Sequence, residues 1–317
     1  VAFSSALHPQ QDTPMTILTT PEGRTPDQIA PTRRGLGVVA AGGAMFAAYA
    51  PAAFAQSATP VRTSTDGLIE AEITYPASGG FELPAYVARP QGDGPHPVVI
   101  VVSEIFGVHE YIRDVARRLA HQGYVAIAPA FFVRVADPAP LSDFQQVIAI
   151  VNQAGYEQVM GDVAGALAWA EAQPFADASR AGITGFCWGG KVVWQAVARF
   201  PQQLKAGVAW YGRLSPAANA TPEQIEAGKP WPIDLASELG APVIGLYGDQ
   251  DSGIPNDTVA AMNKALGEAG KTDSHITLYE GAQHGFHADY RPMYNPAAAA
   301  EAEQRMFAHF ARFVKGS

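Results

Sequence analysis

The chain has 317 residues, 48% of them hydrophobic and 16% charged, enough apolar material for a sizeable core. Its 21 basic and 30 acidic residues leave a net charge of −9. Such an acidic balance excludes nucleic acid and anionic membranes as main partners, because phosphate binding needs clustered Lys and Arg, and the single cysteine, Cys187, excludes a disulfide within the chain.

The first 55 residues have the order of an export signal. In "TRRGLGVVAAGGAMFAAYAPAAFAQS" the pair Arg33-Arg34 precedes an uncharged Ala/Gly-rich stretch, and Ala53-Phe54-Ala55 follows as a small-x-small cleavage site. The arginine pair and the mild apolar stretch resemble a twin-arginine signal. An N-terminal membrane anchor is the alternative reading, against which Pro51 and the cleavage site weigh. The expectation is a leader over 1–55 and one domain over 56–317, periplasmic or secreted, with no membrane span left after cleavage. Twin-arginine export carries folded proteins, which suits a lone thiol in an oxidising compartment.

Beyond residue 60, short β-rich apolar runs recur at Leu68–Tyr75, Glu82–Arg89, Val98–Val102, Tyr124–Ala128, Ala181–Thr184, Ala206–Trp210, Val243–Tyr247 and His275–Tyr279. Several are almost wholly apolar, as strands buried on both faces of a parallel sheet are. The first two, joined through Ser78-Gly79-Gly80, read as an antiparallel hairpin at the sheet edge. Helical patterns at Tyr111–Gln122, Tyr156–Ala172, Gly189–Phe200, Asn256–Ala269 and Ala297–Lys315 separate later runs. Strand-helix alternation of this length predicts a three-layer α/β domain, its mostly parallel sheet of about eight strands covered by helices on both faces.

Within this pattern "GITGFCWGG" (182–190) stands out. A strand ends at Thr184 and a helix begins near Gly189, so Cys187 occupies a Gly-x-Cys-x-Gly turn, the nucleophile elbow with sulfur in place of oxygen. Gly185, Gly189 and Gly190 suit a turn where side chains would collide with the neighbouring strand and helix. The helix N-terminus favours a thiolate. A buried space-filling cysteine is the alternative.

The elbow predicts an acid and then a histidine later in the chain. Of the eight histidines, His8 lies in the leader, His96 and His275 at strand starts, His121 and His309 in helices, and His109 before the nucleophile. His284, in "YEGAQHGFHADY" and beside Gly285, is the candidate base, and His287 reads as an ordinary loop residue. In "VIGLYGDQDSGIP" Asp251 is preferred as the orienting acid, with Asp249 as a turn residue bonding its own backbone. Glu104, at the end of the apolar strand in "VVIVVSEIFGV", is costly unless paired or functional. A salt bridge at the sheet rim is its bland explanation. The same loop is where an oxyanion-hole donor belongs, so the Ile105 and Trp188 N–H groups are the expected pair, each worth about 3 kcal/mol to the transition state.

With these pieces in order, the chain resembles the dienelactone hydrolase family, α/β-hydrolases of the carboxymethylenebutenolidase kind. The residues that carry the resemblance are "SEIFGV" (103–108), "GFCWGG" (185–190), "GDQDSGIP" (248–255) and "GAQHGFHADYRP" (281–292), and it runs from about residue 68 to 315. The resemblance implies hydrolysis of cyclic enol-lactones by a triad of Cys187, His284 and Asp251, with no metal or organic cofactor. It also implies that Glu104 helps deprotonate the cysteine when substrate binds. Well-studied members bind the substrate carboxylate with two arginines, one of them four residues after the histidine. Here that position is Ala288, and 141–154 contains no arginine. Arg213 and Tyr211 in "WYGRL", and Arg291, are the substrate-binding candidates.

The expected partner is a small lactone or ester, acted on by a monomer. A broad exported carboxylesterase and a non-catalytic periplasmic binding protein on the same fold are the rivals. A thiol redox protein would need a second cysteine, and the chain has none.

Overall fold

The computed structural model describes residues 60–92 and 94–316. The expected leader, its arginine pair and its cleavage site lie outside these residues. Eight strands form one sheet: β1 (Leu68–Pro76), β2 (Glu82–Pro90), β3 (His96–Val102), β4 (Val125–Pro129), β5 (Ala176–Phe186), β6 (Leu204–Trp210), β7 (Val243–Gly248) and β8 (His275–Tyr279). Their order is β1-β2-β4-β3-β5-β6-β7-β8. β1 and β2 pair antiparallel as the expected edge hairpin, turned through Ser78–Gly80, and β2 is also antiparallel to β4. Every pair from β4 onward is parallel. The α/β-hydrolase fold is thus the observed one.

The central strands are buried because both faces carry helices. Val98, Val99, Ile100, Val101 and Val102 of β3 are all sealed from solvent. The helices are α1 (Glu110–His121), α2 (Phe144–Val151), α3 (Tyr156–Glu171), α4 (Trp188–Arg199), α5 (Pro222–Ala227), α6 (Asn256–Glu268) and α7 (Pro296–Phe310), the last running into a π turn over Ala311–Lys315. α1 buries Ile112, Val115, Ala116 and Leu119 as its periodicity requires, but Asp114 and Arg117 as well. Arg117 makes this tolerable by pairing with Asp114 (3.2 Å), Glu70 (3.4 Å) and Glu110 (2.5 Å).

Two helices have no counterpart among the expected elements. α2 starts where the Asp143 side chain accepts the Gln145 N–H (2.8 Å). α5 starts with a reciprocal capping box between Thr221 and Gln224. Both are short, so periodicity had few turns in which to show. β5 also begins five residues before its expected start. Its polar first half joins the sheet through a shift of register between Pro97 and Val98. Among the described residues no helix is long and apolar enough to cross a membrane.

Candidate active site

The site forms at the carboxyl ends of β3, β5 and β7, with the loop after β8 closing over them. Cys187 is the N-cap of α4 and has φ 55°, a region that side-chain-bearing residues rarely occupy, so the turn stores about 1–3 kcal/mol of strain. Two backbone bonds hold it. The Cys187 N–H donates to the Trp210 carbonyl at the end of β6 (3.0 Å), and its carbonyl accepts the Gly190 N–H (3.0 Å). The glycines around it are steric necessities. A Cβ on Gly189 would stand 2.4 Å from the Val102 carbonyl oxygen, and one on Gly190 2.4 Å from that of Trp210. The first turn of α4 is thereby pressed against the β3 end and the Ser103–Ile105 loop. Cys187 itself is partly exposed.

His284 sits after β8, with Gly285 (φ 77°) turning the chain beside it. Its Nδ1 lies 2.7 Å from Asp251 Oδ2. The other Asp251 oxygen accepts the N–H groups of Gly253 (2.9 Å) and Ile254 (3.2 Å), which fix the carboxylate after β7. Since the carboxylate only accepts, Nδ1–H donates and Nε2 is the nitrogen left for chemistry. Burial disfavours the imidazolium. The adjoining Asp251 carboxylate and the Cys187 sulfur outweigh it and raise the His284 pKa to about 10. The structure therefore brings Cys187, His284 and Asp251 together. Asp249 stands apart. Its Oδ1 accepts the Gly281 N–H (2.8 Å), tying the β7 end to the next loop rather than to its own backbone.

Glu104 is 1% exposed, and the structure supplies it with partners. Oε2 accepts the Tyr290 hydroxyl (2.7 Å) and faces His109 Nε2 (3.4 Å), while Arg291 Nη2 is 3.6 Å from Oε1. Burial opposes ionisation. Arg291, with help from His109 and Tyr290, overrides it and holds the pKa at about 2. Arg291, expected among the substrate-binding residues, is 4% exposed in this chain, paired with Glu104 and laid over the Phe106 ring at 4.6 Å. His109 precedes the nucleophile in the chain, yet as the N-cap of α1 it reaches Glu104.

Trp188 N–H opens α4 and has no acceptor within the helix, as for any first-turn amide. The Trp188 ring packs on Phe132 (4.8 Å) and Phe131 (5.8 Å). Ile105 is buried in the loop that abuts this turn. Tyr211, with φ 37°, is fully buried and sets its ring edge-on to His284 at 5.2 Å. Its hydroxyl is buried beside that of Tyr111. Arg213 is half-buried, and burial together with this neighbouring charge pulls Lys191 down to about 8.

His287 is a correction. It is not an ordinary loop residue: it is 1% exposed, packed at 4.4 Å from Trp210, and bonded through Nδ1 to the Tyr111 hydroxyl at 2.7 Å. The aromatic and charged density of "HGFHADYRP" was a signal that this loop folds inward. Among the described residues no cluster of three or more His, Cys, Asp or Glu side chains could hold a metal.

Comparison with known proteins points one way. The sequence model described as the dienelactone hydrolase family matches residues 83–314. A protein of Escherichia coli K12, provisionally named a carboxymethylenebutenolidase, is 44% identical over 268 residues, which cover 84% of this chain and 95% of that one. A protein of a Bradyrhizobium species, named with reservation a 2-oxo-3-(5-oxofuran-2-ylidene)propanoate lactonase, is 33% identical over 69% of this chain and 84% of its own. A crystal structure from Klebsiella pneumoniae, provisionally titled a dienelactone hydrolase, superimposes with a TM-score of 0.70 at 44% identity, covering 78% of this chain and 99% of that one.

Proposed function

The chain belongs to the dienelactone hydrolase family and is a hydrolase, and from that premise we propose that it cleaves lactone or ester bonds through a cysteine acyl-enzyme. The observation that carries the reading is Cys187 on a strained turn at φ 55°, coupled to a His284–Asp251 pair at 2.7 Å.

The Cys187 thiolate attacks the carbonyl carbon, and the N–H groups of Ile105 and Trp188 hold the resulting oxyanion. The tetrahedral adduct collapses, the acyl C–O bond breaks, and the ring oxygen leaves as an enolate that takes the proton carried by the His284 imidazolium, leaving His284 neutral. His284 then removes a proton from water, which attacks the thioester and releases the Cys187 sulfur. Asp251 keeps His284 in one tautomer and supports its charged form. Glu104 assists deprotonation of the thiol, as the family resemblance implies.

An enol-lactone of the dienelactone type is the proposed substrate class, with Tyr211 and Arg213 at the substrate. A broader ester range is the second reading. It is favoured by Ala288 standing where the family has an arginine and by Arg291 being occupied with Glu104. The arginine pair and cleavage site of the first 55 residues support export to the periplasm or beyond, and cell fractionation with an Arg33→Lys/Arg34→Lys control tests it. No cofactor is needed for these steps.

The function is tested by hydrolysis of p-nitrophenyl acetate and of cis- and trans-dienelactone, with and without iodoacetamide, and by Cys187→Ala. Turnover lost on alkylation and in Cys187→Ala is expected. An active Cys187→Ala protein would refute the mechanism, and activity on the aryl ester alone would select the esterase reading.

A further inference from the structure

The loop that follows β3 closes as a tight turn. The Gly107 N–H donates to the Glu104 carbonyl (3.3 Å), so Ile105 and Phe106 are the central residues, and Gly107 ends the turn at φ 72°. The Ile105 N–H belongs to the first peptide of this turn. An oxyanion donor has its full effect only if it is already in place when the charge develops. Loops move more than the elements they connect, so such a donor needs support from outside its own turn.

Arg291 reaches this turn on both sides of Ile105. Its Nη2 lies 3.6 Å from Oε1 of Glu104, the first residue of the turn. Its guanidinium lies 4.6 Å over the ring of Phe106, the third. Arg291 Nε donates to the Tyr290 hydroxyl (2.9 Å), which donates in turn to Glu104 Oε2 (2.7 Å). A guanidinium is planar and presents its donors in a fixed fork, so one side chain can meet a carboxylate, a hydroxyl and a ring face at once. Glu104 and Arg291 are both buried, where no water replaces a contact that is lost.

We propose that Arg291 and Tyr290 are positioning residues: by gripping Glu104 and Phe106, they clamp the turn between them and hold the Ile105 N–H where the oxyanion forms. Arg291 then serves every ester or lactone alike, whether or not the substrate carries a carboxylate. The inference rests on the reading of Cys187 as the nucleophile and Ile105 as an oxyanion donor.

The test uses Tyr290→Phe and Arg291→Lys with p-nitrophenyl acetate, which is uncharged, and cis-dienelactone, which carries a carboxylate. Tyr290→Phe removes the bridging hydroxyl and leaves every charge in place. Arg291→Lys keeps the charge but loses the fork and the flat face. Each lowers kcat and kcat/KM together by about tenfold, a part of the roughly 10²–10³ that loss of a whole oxyanion donor costs. The factor is the same on both substrates. Alkylation of Cys187 by iodoacetamide keeps its wild-type rate, because displacement at a saturated carbon develops no oxyanion, whereas a generally loosened site would change it. Wild-type kcat in Tyr290→Phe would overturn the proposal. So would a loss confined to KM for cis-dienelactone, which would make Arg291 an anchor for the substrate carboxylate, or alkylation slowed by the same factor as turnover. Should Arg291→Lys fail to fold, Tyr290→Phe still decides it. Cys187→Ala, assayed alongside, separates the two readings. An inactive Cys187→Ala with an unaffected Tyr290→Phe removes only the clamp, whereas an active Cys187→Ala removes the nucleophile itself.

Discussion

Replacing Arg291 by Met strips Glu104 of the guanidinium it pairs with while keeping most of the side-chain volume. Glu104 is 1% exposed and Arg291 4%, so water cannot substitute for the lost charge. Breaking a buried ion pair from one side costs about 3–5 kcal/mol, and the contact of Arg291 with the Phe106 ring adds about 1 kcal/mol more. The pH dependence distinguishes this from ordinary packing loss. In the wild type the Glu104 pKa is depressed from 4.5 to about 2, so its contribution is fully present above pH 4.5 and is lost as pH falls through 2. In Arg291→Met burial acts with less opposition and the pKa rises. The variant then loses stability as pH climbs toward that raised value. The gap between the two proteins should widen by about 1.4 kcal/mol per pH unit over this range. Urea unfolding of both proteins at pH 5, 6, 7 and 8 measures it. Arg291→Met/Glu104→Gln should regain part of the loss, because no charge is left alone. A gap below 1 kcal/mol, a gap independent of pH, or a double variant showing the sum of the single losses would refute the argument.

Other outcomes follow from the same geometry. Asp251→Asn removes the carboxylate that raises His284 toward 10. The alkaline limb of kcat/KM should therefore move down by about one to three pH units, read from a pH–rate profile. Gly189→Ala places a Cβ 2.4 Å from the Val102 carbonyl and should destabilise by about 3 kcal/mol or prevent folding, seen in denaturant melts. Thr221→Ala removes half of the capping box of α5 and should cost only about 1 kcal/mol in the same melts, leaving kcat unchanged.

What the sequence determined by itself was the local part of this protein. Apolar runs and helical stripes are set by neighbours a few residues apart, so the strands from Leu68 to Tyr279 and the long helices could be placed in order. Cys187 was legible for the same reason, since a strand, a tight glycine turn and a helix start all fall within 182–190. Asp251 and His284 followed from chain order, and the structure puts them 2.7 Å apart. The sequence also showed that Glu104 is anomalous, a charge closing an apolar strand, but not what would satisfy it. Only the tertiary structure decided that. Tyr290 is 186 positions away from Glu104 and His109 only five, yet both meet the same oxygen. The bond from Tyr111 to His287 spans 176 positions. Periodicity tells which face of an element is buried, because burial depends on local geometry. It does not tell which buried polar group meets which, because that depends on how helices, strands and the closing loop stack in three dimensions. The charged cage around Glu104 and the hydroxyl held by His287 belong to that second kind of information.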